Sequence, residues 1–124
     1  MNTTQFEFWN RTLGWSVFAI ALVTFGLTVE PTASFWDASE YIATSAKLQI
    51  GHPPGAPFFM LLGRFFTLFA GSPANAAKMV NVLSALSSSF TILFLFWTIT
   101  HLLFKIFIKD PDKDLSLNNI LIII

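Results

Sequence analysis

The stretch from Met79 to Phe104, MVNVLSALSSSFTILFLFWTITHLLF, runs for 26 residues without a charged side chain when His101 is neutral. As an α-helix it would be about 39 Å long at roughly 1.5 Å per residue. That exceeds a bilayer core of about 30 Å and leaves length to tilt, so the stretch reads as a membrane span. Inside it Asn81, Ser84, Ser88 and Thr91 recur at three- and four-residue steps, with Ala85 alongside. Such a strip of small and polar side chains lets a neighbouring membrane helix approach closely. Ser72 and Pro73 supply an N-cap and a first-turn proline, which puts the start of this helix in the polar stretch before Met79.

Working outward, residues Thr12 to Val29 form a second uncharged run of 18, about 27 Å as a helix. A signal peptide is the competing reading, but its apolar region is usually about 7 to 15 residues and closes on a small-x-small cleavage site. Glu30 and Pro31 follow here instead, which favours a retained helix. Composition agrees with two spans: 54% of the 124 residues are apolar and only 11% charged, against about a quarter charged in ordinary soluble domains. Fifteen Phe and four Trp suit lipid-facing and interfacial surfaces. Seven basic and seven acidic residues cancel, so no positive field is available to draw nucleic acid. The absence of Cys excludes disulfides, a thiolate nucleophile and a cysteine metal site, and leaves the redox compartment open.

Lys105, Lys109 and Lys113 follow the second span, and Arg11 precedes the first. Basic residues near span ends favour the cytoplasm. Residues 1–11 and the loop 105–114 are therefore expected inside, and 30–78 outside. Leu115 to Ile124 is apolar but too short to cross, and reads as the start of a third span. The expectation is an all-α polytopic membrane protein, integral to the plasma or inner membrane with its N-terminus cytoplasmic. The chain in hand would be the N-terminal part of one membrane domain, inactive alone.

The outer segment of 49 residues is long for a connection between spans, and long ordered connections usually carry function. Two short helices can be drawn in it, 37–50 ending at Gly51 before Pro53, and 57–70 bounded by Gly71. The second would be about 21 Å long with Arg64 at its middle. A charge is costly at the bilayer centre, so this helix is expected to lie in the interface or to re-enter behind other protein.

Asp37 and Glu40 stand three residues apart at the start of the first short helix, beside Phe35, Trp36 and Tyr41. One reading is a general base: a partly dried carboxylate can accept a proton from an incoming hydroxyl. The other is a capping box, with Asp37 at N-cap, Glu40 at N3, and Trp36 and Tyr41 as a hydrophobic staple. Both can hold together. In the run His52-Pro-Pro-Gly-Ala-Pro57, three prolines make a stiff turn, and His52 could meet a phosphate or shuttle a proton. Arg64 either snorkels to headgroups or turns inward to an anion. No second histidine lies near His52, so nothing in the pattern supports a metal site.

The stretch Glu30-Pro-Thr-Ala-Ser-Phe-Trp-Asp37-Ala-Ser-Glu40-Tyr, followed by Ala46-Lys-Leu-Gln-Ile-Gly51-His52-Pro53-Pro54-Gly55-Ala56-Pro57, resembles domain of unknown function 2723, the transmembrane protein 260-like family. That family is similar to protein O-mannosyltransferases and other GT-C glycosyltransferases. The paired signature, an acidic turn and a His-Pro-Pro-Gly run about a dozen residues later, carries the likeness. It implies a multi-spanning GT-C enzyme that takes a sugar from a polyprenyl-phosphate carrier and gives it to a secreted or membrane protein's Ser or Thr hydroxyl. By position Asp37 would be the base or acceptor-binding acid, with Glu40 as an orienting or capping partner. His52 and Arg64 become candidates for the donor phosphate. Many relatives surround the acid with glycines, in a Gly-Gly-Asp-Ser-Gly-Glu pattern, where this chain has Phe35, Trp36, Ala38 and Ser39. Two rival expectations are a non-enzymatic transporter or assembly subunit, and a lipid-carrier binding module that would tolerate Asp37→Asn.

Overall fold

The computed structural model describes residues 3–34, 36–53 and 55–107. All regular structure among them is helical: α1 Thr3–Leu27, α2 Trp36–Lys47, α3 Pro57–Thr67, a short 3-10 turn Pro73–Asn75, and α4 Ala76–Phe107. Helices α1 and α4 are each long and apolar enough to cross a membrane. The third span read in residues 115–124 lies outside the described residues.

Helix boundaries differ from the sequence reading in instructive ways. Helix α1 begins at Thr3 instead of Thr12, taking in Glu7 and Arg11, because charged side chains are good helix formers and hydropathy marks only the apolar part of a helix. Helix α4 likewise overruns the uncharged stretch at both ends. Ser72 has the extended backbone of an N-cap, φ −148° and ψ 155°, but no side-chain capping bond forms. Helix α2 stops at Lys47, short of Gly51. Leu48 takes the left-handed conformation, φ 51°, and the N–H groups of Gln49 and Leu48 turn back to Thr44 O (2.9 Å) and Ser45 O (3.4 Å). That is a Schellman ending made without glycine. Helix α3 ends at Thr67, and Gly71 supplies the left-handed residue beyond it, φ 68°.

The described residues fall into two compact units. One takes in Met1–Val23 and Ser88–Ile124. Its ring pairs Phe6–Phe104 (5.0 Å), Trp15–Trp97 (5.9 Å) and Phe18–Phe90 (4.7 Å) ascend in α1 as they descend in α4, so the two helices run antiparallel. Gly14 sits against the Trp97 indole, where a Cβ would overlap the ring. Ser89, Leu93 and Thr100 are buried along one stripe of α4, while Trp9, Ile20, Phe94, Leu95 and Ile106 remain exposed. An outer surface this apolar suits a lipid environment.

The other unit is residues 24–87. Helices α2 and α3 pack against each other through Thr44 and Ser45 on one side and Met60 and Gly63 on the other, with Ile42 of α2 and Val80 and Leu83 of α4 also buried. Gly63 is what permits the approach. A Cβ there would fall 2.5 Å from Ser45 Oγ and 2.7 Å from Ser45 Cβ. Asn81 ties the segment after α1 down by donating from Nδ2 to Glu30 O (2.8 Å) and Thr32 O (2.9 Å). The residue read as part of a helix-packing strip thus spends its amide on a loop.

Candidate functional site

Asp37 and Glu40 lie in the first turns of α2, but they do not form a capping box. The helix starts at Trp36, which places Asp37 inside the first turn and not at the cap. Trp36 is 93% exposed, and Tyr41 packs edge-on against Phe59 at 5.4 Å, so the staple is absent as well. Asp37 is exposed, where its charge still complements the helix N-terminus.

Glu40 reaches in a different direction. Its Oε1 accepts the backbone N–H of His52 at 2.7 Å, and its Oε2 lies 2.6 Å from His52 Nδ1. One carboxylate thereby holds both the main chain and the ring of a residue 12 positions on. The turn it grips is closed by Gly55 N–H donating to His52 O at 2.9 Å, with Gly55 at φ 68°. Gly51, read from sequence as a helix terminator, serves instead to leave room. A Cβ there would stand 2.8 Å from Glu40 Oε1. The His52 N–H first, and the imidazole second, hold the Glu40 carboxyl below the usual carboxylate range, against a smaller opposing effect of burial. Both contacts favour the ionised form.

The His52 side chain is 65% exposed, so the ring edge away from Glu40 meets solvent. Beside the pair runs an apolar groove of about 430 Å³ walled by Leu48, Ile50, Pro57, Met60 and Leu61.

Arg64 is elsewhere. Its Nη1 donates to Ala46 O at 2.7 Å, answering a carbonyl at the end of α2. The guanidinium lines a separate groove of about 670 Å³ together with Lys47, Thr67 and Ser72. The structure therefore brings Glu40 and His52 together, keeps Asp37 one turn up the same helix, and puts His52 and Arg64 on different cavities. Sequence reasoning missed the Glu40–His52 link, the groove role of Lys47 and the Ser45–Gly63 contact. The glycine directly before His52 was the available signal for the first. Among the described residues no group of three or more His, Asp or Glu side chains is arranged around a common metal position.

The described residues are helical, with two candidate spans joined by a segment in which an acid and a histidine are locked together, the character of a membrane protein. Residues 37–124 match the family described as the protein O-mannosyl-transferase TMEM260 N-terminal domain, and the chain belongs to that family. It is 34% identical over 88 residues to the protein O-mannosyl-transferase TMEM260 of Mus musculus, covering 70% of this chain and 12% of that protein. To the protein O-mannosyl-transferase tmem260 of Dictyostelium discoideum it is 26% identical over 84 residues, 67% of this chain and 10% of that protein. The chain thus spans only about a tenth of the length of these relatives. No solved structure matches it. The family and the two long apolar helices together support a membrane location.

Proposed function

We propose that the full-length protein is a GT-C-like glycosyltransferase that moves a sugar from a polyprenyl-phosphate carrier to a Ser or Thr hydroxyl of a secreted or membrane protein. The reaction would take place on the outer face of the plasma or inner membrane, with the N-terminus cytoplasmic and the acceptor meeting the segment between α1 and α4. The observation that carries the reading is the family match, which begins at Asp37 and takes in the whole Glu40–His52 arrangement. Asp37 accepts the hydrogen bond of the incoming hydroxyl and draws its proton as the oxygen attacks the sugar's anomeric carbon. The bond from that carbon to the phosphate oxygen breaks, and its electron pair leaves with the phosphate. Arg64 carries more N–H donors than its bond to Ala46 uses, and with Lys47 it offers the phosphate a cationic groove. The apolar wall from Leu48 to Leu61 suits the carrier's hydrocarbon chain.

The test is Asp37→Asn in the full-length protein, assayed for mannose transfer to a secreted acceptor. Transfer should fall at least about 100-fold. Undiminished transfer by a folded, inserted variant would remove Asp37 from the mechanism.

A further inference from the structure

Another cavity within residues 24–87, of about 320 Å³, differs in chemistry from the two grooves already described. Ala38 and Tyr41 of α2 line it, three residues apart, and so do Asn81 and Ser84 of α4, a spacing that puts each pair on one side of its helix. Phe59 of α3 adds to the wall, its ring edge-on to Tyr41 at 5.4 Å. None of the described residues lining the cavity is charged. Asn81 spends both amide hydrogens on Glu30 O and Thr32 O, at 2.8 Å and 2.9 Å. The polar atom left to it is the Oδ1 acceptor, held in place by those two bonds. Tyr41 and Ser84 each bring a hydroxyl that can donate or accept, and the bond from Ser84 Oγ to Val80 O is long, 3.4 Å.

A neutral cavity offers nothing to balance a phosphate or a carboxylate, and a hydrocarbon chain would cover its polar groups without pairing them. It suits a ring with hydroxyls at its edge and C–H groups on its faces. Such hydroxyls can donate to Asn81 Oδ1, and the C–H faces can lie against aromatic rings. Cavities that hold small ligands run from about 300 to 1,000 Å³, so this one lies at the monosaccharide end. Ile42 is a wall of both this cavity and the groove of Arg64 and Lys47, and Ala38 follows Asp37 directly. We propose that this cavity holds the transferred hexose, and that Tyr41, Asn81 and Ser84 bind its hydroxyls. Asn81 and Ser84, which read in the sequence as part of a helix-packing strip, thereby become specificity-determining residues. The assignment rests on the transfer reading above and adds where the sugar is recognised.

The experiment uses the full-length protein in lipid nanodiscs, with polyprenyl-phosphate mannose and sugar-free polyprenyl phosphate as probes. Tyr41→Phe keeps the ring and removes only the hydroxyl, Ser84→Ala does the same on α4, and Ser84→Leu fills the cavity. Tyr41→Phe and Ser84→Ala should each raise the donor KM about 2- to 10-fold, the effect of losing one neutral hydrogen bond. The acceptor KM and binding of the sugar-free carrier should not move. Ser84→Leu should abolish transfer yet bind the sugar-free carrier as the wild type does, which shows that it is folded. A wild-type donor KM in both hydroxyl-deletion variants would overturn the proposal, as would a rise confined to the acceptor KM. Methyl α-mannopyranoside, which carries neither phosphate nor chain, gives a second readout. Saturation transfer from aromatic protons should reach it in the wild-type protein and not in Ser84→Leu. An equal signal in both, or none in either, would also overturn the assignment. If the wild-type protein moves no sugar to a hydroxyl acceptor, the transfer reading falls; the glycoside signal then tells that failure apart from a wrong choice of cavity.

Discussion

Glu40 holds His52 at two points, the backbone N–H at 2.7 Å and the imidazole Nδ1 at 2.6 Å. This explains why an acidic turn and a His-Pro-Pro-Gly run belong to one signature. They are two ends of a single clasp, and the bend between them is stiffened by proline and closed by the Gly55 to His52 bond. A clasp of this kind fixes the exit of α2 relative to the entry of α3, and it costs little ordering entropy because the turn is rigid beforehand.

Gly51→Ala should open the clasp. The new methyl group would stand 2.8 Å from Glu40 Oε1, closer than van der Waals contact allows, and the carboxylate must withdraw from His52. The expected outcome is faster exchange of the His52 and Gly55 amides with little change elsewhere, read by hydrogen exchange and mass spectrometry of the full-length protein. Unchanged protection of these amides would count against the clasp.

Acid should release it as well, and only at low pH. His52 keeps the Glu40 carboxyl below its ordinary range. A group depressed in the folded state contributes stability that is fully present above its unfolded value, about 4.3 for Glu, and lost as pH falls through the lower folded value. Protection of the His52 amide, corrected for intrinsic exchange, should stay flat from about pH 7 to pH 5 and drop below the ordinary Glu range. In Glu40→Gln that drop should vanish. A midpoint above the ordinary value would contradict the clasp.

Gly63→Ala should separate α2 from α3. Its Cβ would come within 2.7 Å of Ser45 Cβ between two buried residues. Overpacking of this kind costs about 1–3 kcal/mol, more than the roughly 1 kcal/mol that alanine gains over glycine in a helix. Thermal unfolding in detergent should show the loss. Ser45→Gly added to Gly63→Ala should restore stability, whereas Ser45→Ala should not, because it leaves the clashing Cβ in place.

Arg64→Met should fray the end of α2. The half-buried guanidinium bond to Ala46 O, 2.7 Å long, meets a helix C-terminus where positive charge is favourable. Its loss should cost about 1–2 kcal/mol and raise exchange at Leu48 and Gln49. Arg64→Lys should recover part of the effect, since an ammonium supplies the charge without the planar fork. If Leu48 and Gln49 exchange is the same in all three proteins, Arg64 is not an α2 cap.

The helical class, both candidate spans and the presence of two short helices between them were legible in the sequence, because apolar runs, prolines and glycines act on the chain locally. Asp37, Glu40, His52 and Arg64 stood out for the same reason: few ionisable residues occur in so apolar a chain. Their partners were not legible. Glu40 could bond to the N-terminus of its own helix or to a turn 12 residues away, and sequence spacing favours the near choice. Packing of α2 on α3 through Ser45 and Gly63 brings the far one within reach and makes the choice. The same packing takes Arg64 to the end of α2 and away from His52. Spacing along the chain singled out the candidate residues, and the close approach of two helices, possible only where a side chain is missing, decided which of them meet.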